Sequence, residues 1–126
     1  MRFHHIGIAC RDIQDGIESI RKVHEVVEIG SILFDKEQNA DICLIKTADG
    51  VTLELISGEP VEKLVKKGIT YYHVCYETTD IEGEITRLQD SGAILVSEPK
   101  PAILFGLNRA AFLYVSYGLI ELIEIK

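Results

Sequence analysis

Five positions of this chain recur at one fixed offset. His5 and His73 lie 68 residues apart, and so do Asp12 and Asp80, Ile13 and Ile81, Ile17 and Ile85, and Ile20 and Leu88. A ligand-type residue, a cap-type residue and three apolar positions held at one spacing mark two copies of a single structural unit. The length, 126 residues, suits one domain with a core of its own. The two copies take up about 3–57 and 71–125, with a connector at about 58–70.

Each copy reads in the same order. In the first, a strand at Phe3–Ala9 leads to Asp12, a good helix N-cap. Ile13, Ile17, Ile20, Val23 and Val27 follow at helical spacing, which predicts a helix that buries one face and ends near Glu25. Extended stretches come next at Val26–Phe34, Asp41–Thr47 and Val51–Ser57, the last two joined as a hairpin by "ADG" at Ala48–Gly50. "GEPVEKLVKKGIT" reads as a connector with a helical turn. In the second copy, a strand at Tyr72–Glu77 precedes Asp80, which caps a helix stopping at Gly92. A short strand at Ile94–Ser97 and a proline-broken loop, "EPKPAILFGLN", lead to a hairpin of Ala110–Tyr114 and Leu119–Ile125 around Gly118. "TLELI" at Thr52 corresponds to "LIELI" at Leu119, with the offset slipping to 67.

The fold class expected is α+β: two βαβββ modules in tandem. One four-stranded sheet with a lone helix hides its two faces poorly. Pairing two should give a large curved mixed sheet with helices outside and a sheltered concave face inside.

Thirteen basic against twenty acidic residues give a formal charge of −7. An acidic chain without a Lys/Arg cluster lacks the footprint of nucleic-acid or anionic-membrane binding. No apolar run approaches spanning length, and "MRFHHIGIAC" does not read as a signal peptide. Three cysteines without a CxxC argue against a disulfide framework or a thiolate zinc site. Cytoplasm is the simplest expectation.

His5 and His73 sit at equivalent places on the first strand of each copy, Glu54 and Glu121 on the last. Alternate residues of a strand share a face, so each has a defined direction. If the related strands lie side by side, two imidazoles and two carboxylates converge. That set suits one divalent transition metal with N/O ligands and room for substrate, and fits a Lewis-acid site better than structural zinc. A single strand-end His is most often a solvated residue, and a Glu inside "LELIS" often marks a solvent face; the repetition tips the balance. His4 rivals His5 but shares parity with Ile6 and Ile8. Glu124 rivals Glu121 but has the opposite parity. His24 is expected on the surface.

The stretches "HHIGIA", "TLELI", "YHVCYETTDI" and "GLIELIE" resemble the vicinal oxygen chelate superfamily, the glyoxalase/bleomycin resistance/dioxygenase group, from Phe3 to Glu124. The resemblance implies paired βαβββ modules, a divalent ion (nickel, cobalt, zinc or manganese) held at His5, Glu54, His73 and Glu121, and a homodimer. It is nearest to small bacterial glyoxalase I (lactoylglutathione lyase)-like proteins, which implies proton transfer beside a metal-polarised carbonyl of a hemithioacetal. Glu121 would serve as ligand and base, with Glu54 acting on the opposite face. "FHHIGIACRDI" and "SEPKP" are also similar to methylmalonyl-CoA epimerase, a thioester isomerase, which would give Asp41 a part in proton transfer; a plain strand-start residue is the alternative. A non-catalytic binding or resistance protein of the same fold is the third reading. Arg109 is either an anchor for an anionic substrate or a surface residue at a strand start. Cys75 shares parity with His73 and reads as a buried, inert thiol.

Overall fold

A computed structural model describes residues 1–126. The chain divides into two compact units: His5–Tyr72, and His73–Lys126 together with Met1–His4. No helix is long and apolar enough to cross a membrane.

In the first unit the strand β1 (Arg2–Ala9, its first three residues falling in the other unit) runs into helix α1 (Ile13–Arg21). The side chain of Asp12 caps that helix by accepting a hydrogen bond from the Asp15 N–H at 2.9 Å. Strands β2 (Val26–Ile29), β3 (Leu33–Asp35), β4 (Ala40–Thr47) and β5 (Thr52–Gly58) follow. Their order is β2-β4-β5-β1, with β3 also on β4. β1 and β5 run parallel and the other pairs antiparallel. A 3-10 turn at Glu59–Val61 and helix α2 (Glu62–Lys66) form the connector.

The second unit repeats the order. Strand β6 (Tyr71–Thr78) leads to α3 (Ile81–Asp90), whose cap Asp80 accepts from the Gly83 N–H at 3.0 Å. Then come β7 (Ile94–Pro101), β8 (Arg109–Val115) and β9 (Gly118–Glu124), in the order β6-β9-β8-β7 with β6 and β9 parallel.

The strands of each unit bury one face under that unit's helix. Ile13 and Ile17 of α1 pack on Cys43, Ile45 and Leu55, and Ile81 and Ile85 of α3 pack on Ala111, Leu113, Ile120 and Leu122. Gly16 lets α1 approach: a Cβ there would lie 3.0 Å from Leu55 Cδ1 and 3.1 Å from Cys10 Sγ. Because strand side chains alternate, the opposite face is left to the residues between these core positions. In the first unit His5 and Glu54 are on that side, and in the second His73 and Glu121.

Three local expectations are corrected. α1 ends at Arg21, four residues short of Glu25, because Val26 is already paired with Thr47 in the sheet. Val23 and Val27, expected on its buried face, are 77% and 61% exposed. The extended stretch 26–34 is two strands, β2 and β3, with Gly30 between them bonded to the Leu44 carbonyl. The proline-broken loop is in its first part strand: β7 continues through Pro99 to Pro101. Its edge position explains this, since an edge strand leaves alternate N–H groups unused and tolerates proline there.

Candidate functional site

In the first unit the parallel register sets Gly7 of β1 opposite Glu54 of β5, and Ile8 opposite Leu55. Ile8 and Leu55 lie under α1, so His5, Gly7, Ala9, Glu54 and Ile56 share the other face. There His5 Nε2 lies 3.3 Å from Glu54 Oε1, with the two side chains 0% and 6% exposed.

The second unit builds the same pair. Cys75 of β6 is opposite Glu121 of β9, and Phe112 of β8 flanks Glu121 on its other side. His73 Nε2 lies 3.2 Å from Glu121 Oε1, both nearly buried. The His73 ring meets Phe112 edge-on at 5.4 Å between centroids, which fixes its plane. Each unit therefore holds one imidazole nitrogen against one carboxylate oxygen, both sheltered from water.

The two remaining predicted residues are placed elsewhere. Asp41 is opposite Ser57 in the β4–β5 hairpin, whereas Glu54 is opposite Leu44. Asp41 thus shares a face with Cys43 and Leu55, the α1 side, and is exposed. It is not brought to the face of Glu54. Arg109 has the parity of Ala111 and Leu113, the α3 side. Its guanidinium donates to Glu124 Oε1 at 3.0 and 2.8 Å and to Glu82 Oε2 at 3.0 Å. The same Glu124 accepts from the Ile81 N–H at 3.4 Å. Arg109 beside it holds the Glu82 carboxyl below the usual carboxylate range. Arg109 thereby ties the start of α3 to β8 and β9.

An Arg109→Gln variant should accordingly be less stable than the parent, since it strips charged hydrogen bonds from a largely buried carboxylate. A urea melt checks this, and the KM for any substrate should stay within about twofold.

Of the cysteines, Cys43 and Cys75 are buried. Burial and the neighbouring Asp12 push the Cys10 thiol up to about 11, so it is protonated and unreactive near neutrality.

A profile of the glyoxalase/bleomycin resistance protein/dioxygenase superfamily matches residues 4–112. The chain belongs to that superfamily. Among solved structures, methylmalonyl-CoA epimerase from Mycobacterium tuberculosis is similar, with a TM-score of 0.81 at 20% identity over 99% of this chain and 88% of that one. A hypothetical protein from Bacillus halodurans C-125 gives a TM-score of 0.78 at 22% identity, covering 99% and 94%. A methylmalonyl-CoA epimerase solved with methylmalonyl-CoA and NH4+ gives 0.73 at 24%, covering 98% and 93%. These likenesses establish the α+β glyoxalase-like fold for this superfamily member. No curated protein matches the chain.

Residues that the sequence did not single out also lie on the Glu121 face. Glu77 has the parity of His73 and Cys75, and its carboxylate, with a side chain 11% exposed, lies 2.8 Å from Arg2 Nη2. Counting in twos from His73 finds it; nothing in composition does.

Proposed function

We propose that His5, Glu54, His73 and Glu121 together hold one divalent metal ion, and that the protein is a glyoxalase I-like lyase or isomerase. The observation that carries this reading is the duplicated pair: each unit buries one His–Glu couple on its own first and last strands, on the side away from its helix. The donor set fits the ion. Two neutral imidazoles and two carboxylates supply borderline N/O ligands without thiolate, suited to nickel, cobalt, zinc or manganese. Burying two carboxylates without a cation would be costly, and a double positive charge offsets both.

When bound, such an ion acts as a Lewis acid that polarises a substrate carbonyl and lowers the pKa of the neighbouring C–H. The chain's own part is then proton transfer and positioning. Glu121 takes the proton from the carbon beside the carbonyl and returns it to a neighbouring atom. Glu54 stands ready for the opposite face of the substrate. His5 and His73 would each offer a ring nitrogen to the ion, the His73 ring lying edge-on to Phe112. Asp41, on the α1 side of its sheet, leaves the two glutamates as the acid–base pair, which favours the glyoxalase I-like assignment of roles.

A second reading is favoured by the similarity to an epimerase solved with methylmalonyl-CoA. There the same proton transfer would invert a carbon next to a thioester. The test is to supply nickel, cobalt, zinc and manganese in turn and assay the hemithioacetal of methylglyoxal and glutathione beside methylmalonyl-CoA. Turnover of the hemithioacetal is expected. Epimerisation of the thioester alone would transfer the assignment to the second reading, and inertness on both with tight binding of another small molecule would point to a binding protein. The same reading places the protein in the cytoplasm as a homodimer, which gel filtration with light scattering checks.

A further inference from the structure

In the second unit the end of α3 and the β8–β9 turn enclose a cavity of about 470 Å³. Leu88, Ala93, Val115 and Ile120 line it, all of them in the core under α3 or packed against that core. Tyr114 and Tyr117 add to its wall. The volume falls within the roughly 300–1,000 Å³ of small-molecule pockets. The cavity between α1 and α2 in the first unit, about 260 Å³, falls short of it. No Asp, Glu, Lys, Arg or His side chain lines the larger cavity, although 26% of the chain is charged. The Tyr117 hydroxyl lies 2.9 Å from that of Tyr76, and the Tyr76 ring meets Phe3 edge-on at 6.5 Å.

We infer that this cavity binds an uncharged, largely apolar small molecule that carries an oxygen acceptor, of the aryl ketone type, and that the Tyr117 hydroxyl holds that oxygen. Three observations support it. The first is the lining: a charged ligand would give up its water here and meet no counter-charge, whereas an apolar one covers aliphatic surface. The second is the pair of tyrosines. Two hydroxyls joined by one hydrogen bond have one proton left to donate. Tyr76 is half-buried, and the bond to Tyr117, followed by burial, pushes its hydroxyl up to about 12. Tyr76 therefore keeps its proton and donates it, which leaves the Tyr117 O–H to serve a ligand. A hydroxyl that already accepts one hydrogen bond also donates more strongly. The third is the aromatic wall, since the Tyr114 and Tyr117 rings offer flat apolar surface beside that donor. The site is independent of the proposed metal centre. Tyr76 and Ile120 are the strand neighbours of Cys75 and Glu121, so they point to the other face of the sheet.

The test titrates the full chain, labelled at isoleucine, leucine and valine methyl groups, with acetophenone, ethylbenzene and benzoate. These three share a ring and differ in offering a neutral acceptor, no acceptor and a charge. The Leu88, Val115 and Ile120 methyl signals should shift saturably with acetophenone and with ethylbenzene, and benzoate should bind most weakly. Ile123, which has the strand parity of Glu121, should stay still. Tyr117→Phe should weaken acetophenone about two- to tenfold, as loss of one neutral hydrogen bond does, and leave ethylbenzene unchanged. Tyr117 is 67% exposed, so the variant should melt like the parent. The site is overturned if no probe shifts these methyl signals saturably, or if the shifts centre on Ile123 instead. Tightest binding of benzoate would overturn the uncharged class of ligand. An equal effect of Tyr117→Phe on acetophenone and ethylbenzene, or no effect on either, would remove Tyr117 as the group that holds the oxygen.

Discussion

Glu121→Gln should reduce turnover by about 10²- to 10⁴-fold, the range lost with a positioned general base. The amide keeps the size of the side chain and an oxygen next to His73, so the melting temperature should change little. What it removes is the capacity to accept a proton. The decisive comparison is solvent deuterium exchange at the substrate carbon, measured with the metal content of parent and variant matched. Exchange should vanish along with turnover. Undiminished exchange would take Glu121 out of proton transfer and leave it at most a ligand.

His5→Ala should weaken metal binding by about 100-fold or more, since even partners that merely orient a ligand are worth 10- to 100-fold. The ring is fully buried and 3.3 Å from Glu54. Its loss therefore also leaves a carboxylate in a dry site without its imidazole, and some destabilisation of the metal-free protein is expected. Metal analysis after dialysis reads the first effect and a urea melt the second. Unchanged metal content would reassign the ligand to His4. The double variant His5→Ala/His73→Ala should bind no ion at all.

Much of this architecture is legible in the residues, and the exceptions have physical reasons. Asp12 and Asp80 cap their helices as read. The site residues could be placed on a face because parity within a strand is local information. Where pairing between strands decided the outcome, parity alone was not enough. Asp41 looks like a site residue until the hairpin is folded about Ala48–Gly50, which sets it opposite Ser57 and thereby on the side of α1. Arg109 reads as a lone cation at a strand start. Only the packing of α3 brings Glu82 to it, from 27 residues away in the chain. The end of α1 failed for a related reason: Val23 and Val27 continue the helical period, but sheet pairing at Val26 overrides local propensity.

The parallel pairing of the first and last strands of each unit, β1 with β5 and β6 with β9, also sets an order of events during folding. His5 and Glu54, or His73 and Glu121, cannot meet until the chain between them has been laid down as helix and hairpin, and closing so long a loop is entropically slow. The hairpins β4–β5 and β8–β9 and the capped helices can form early from local contacts. Each buried His–Glu couple is therefore among the last features a maturing molecule acquires.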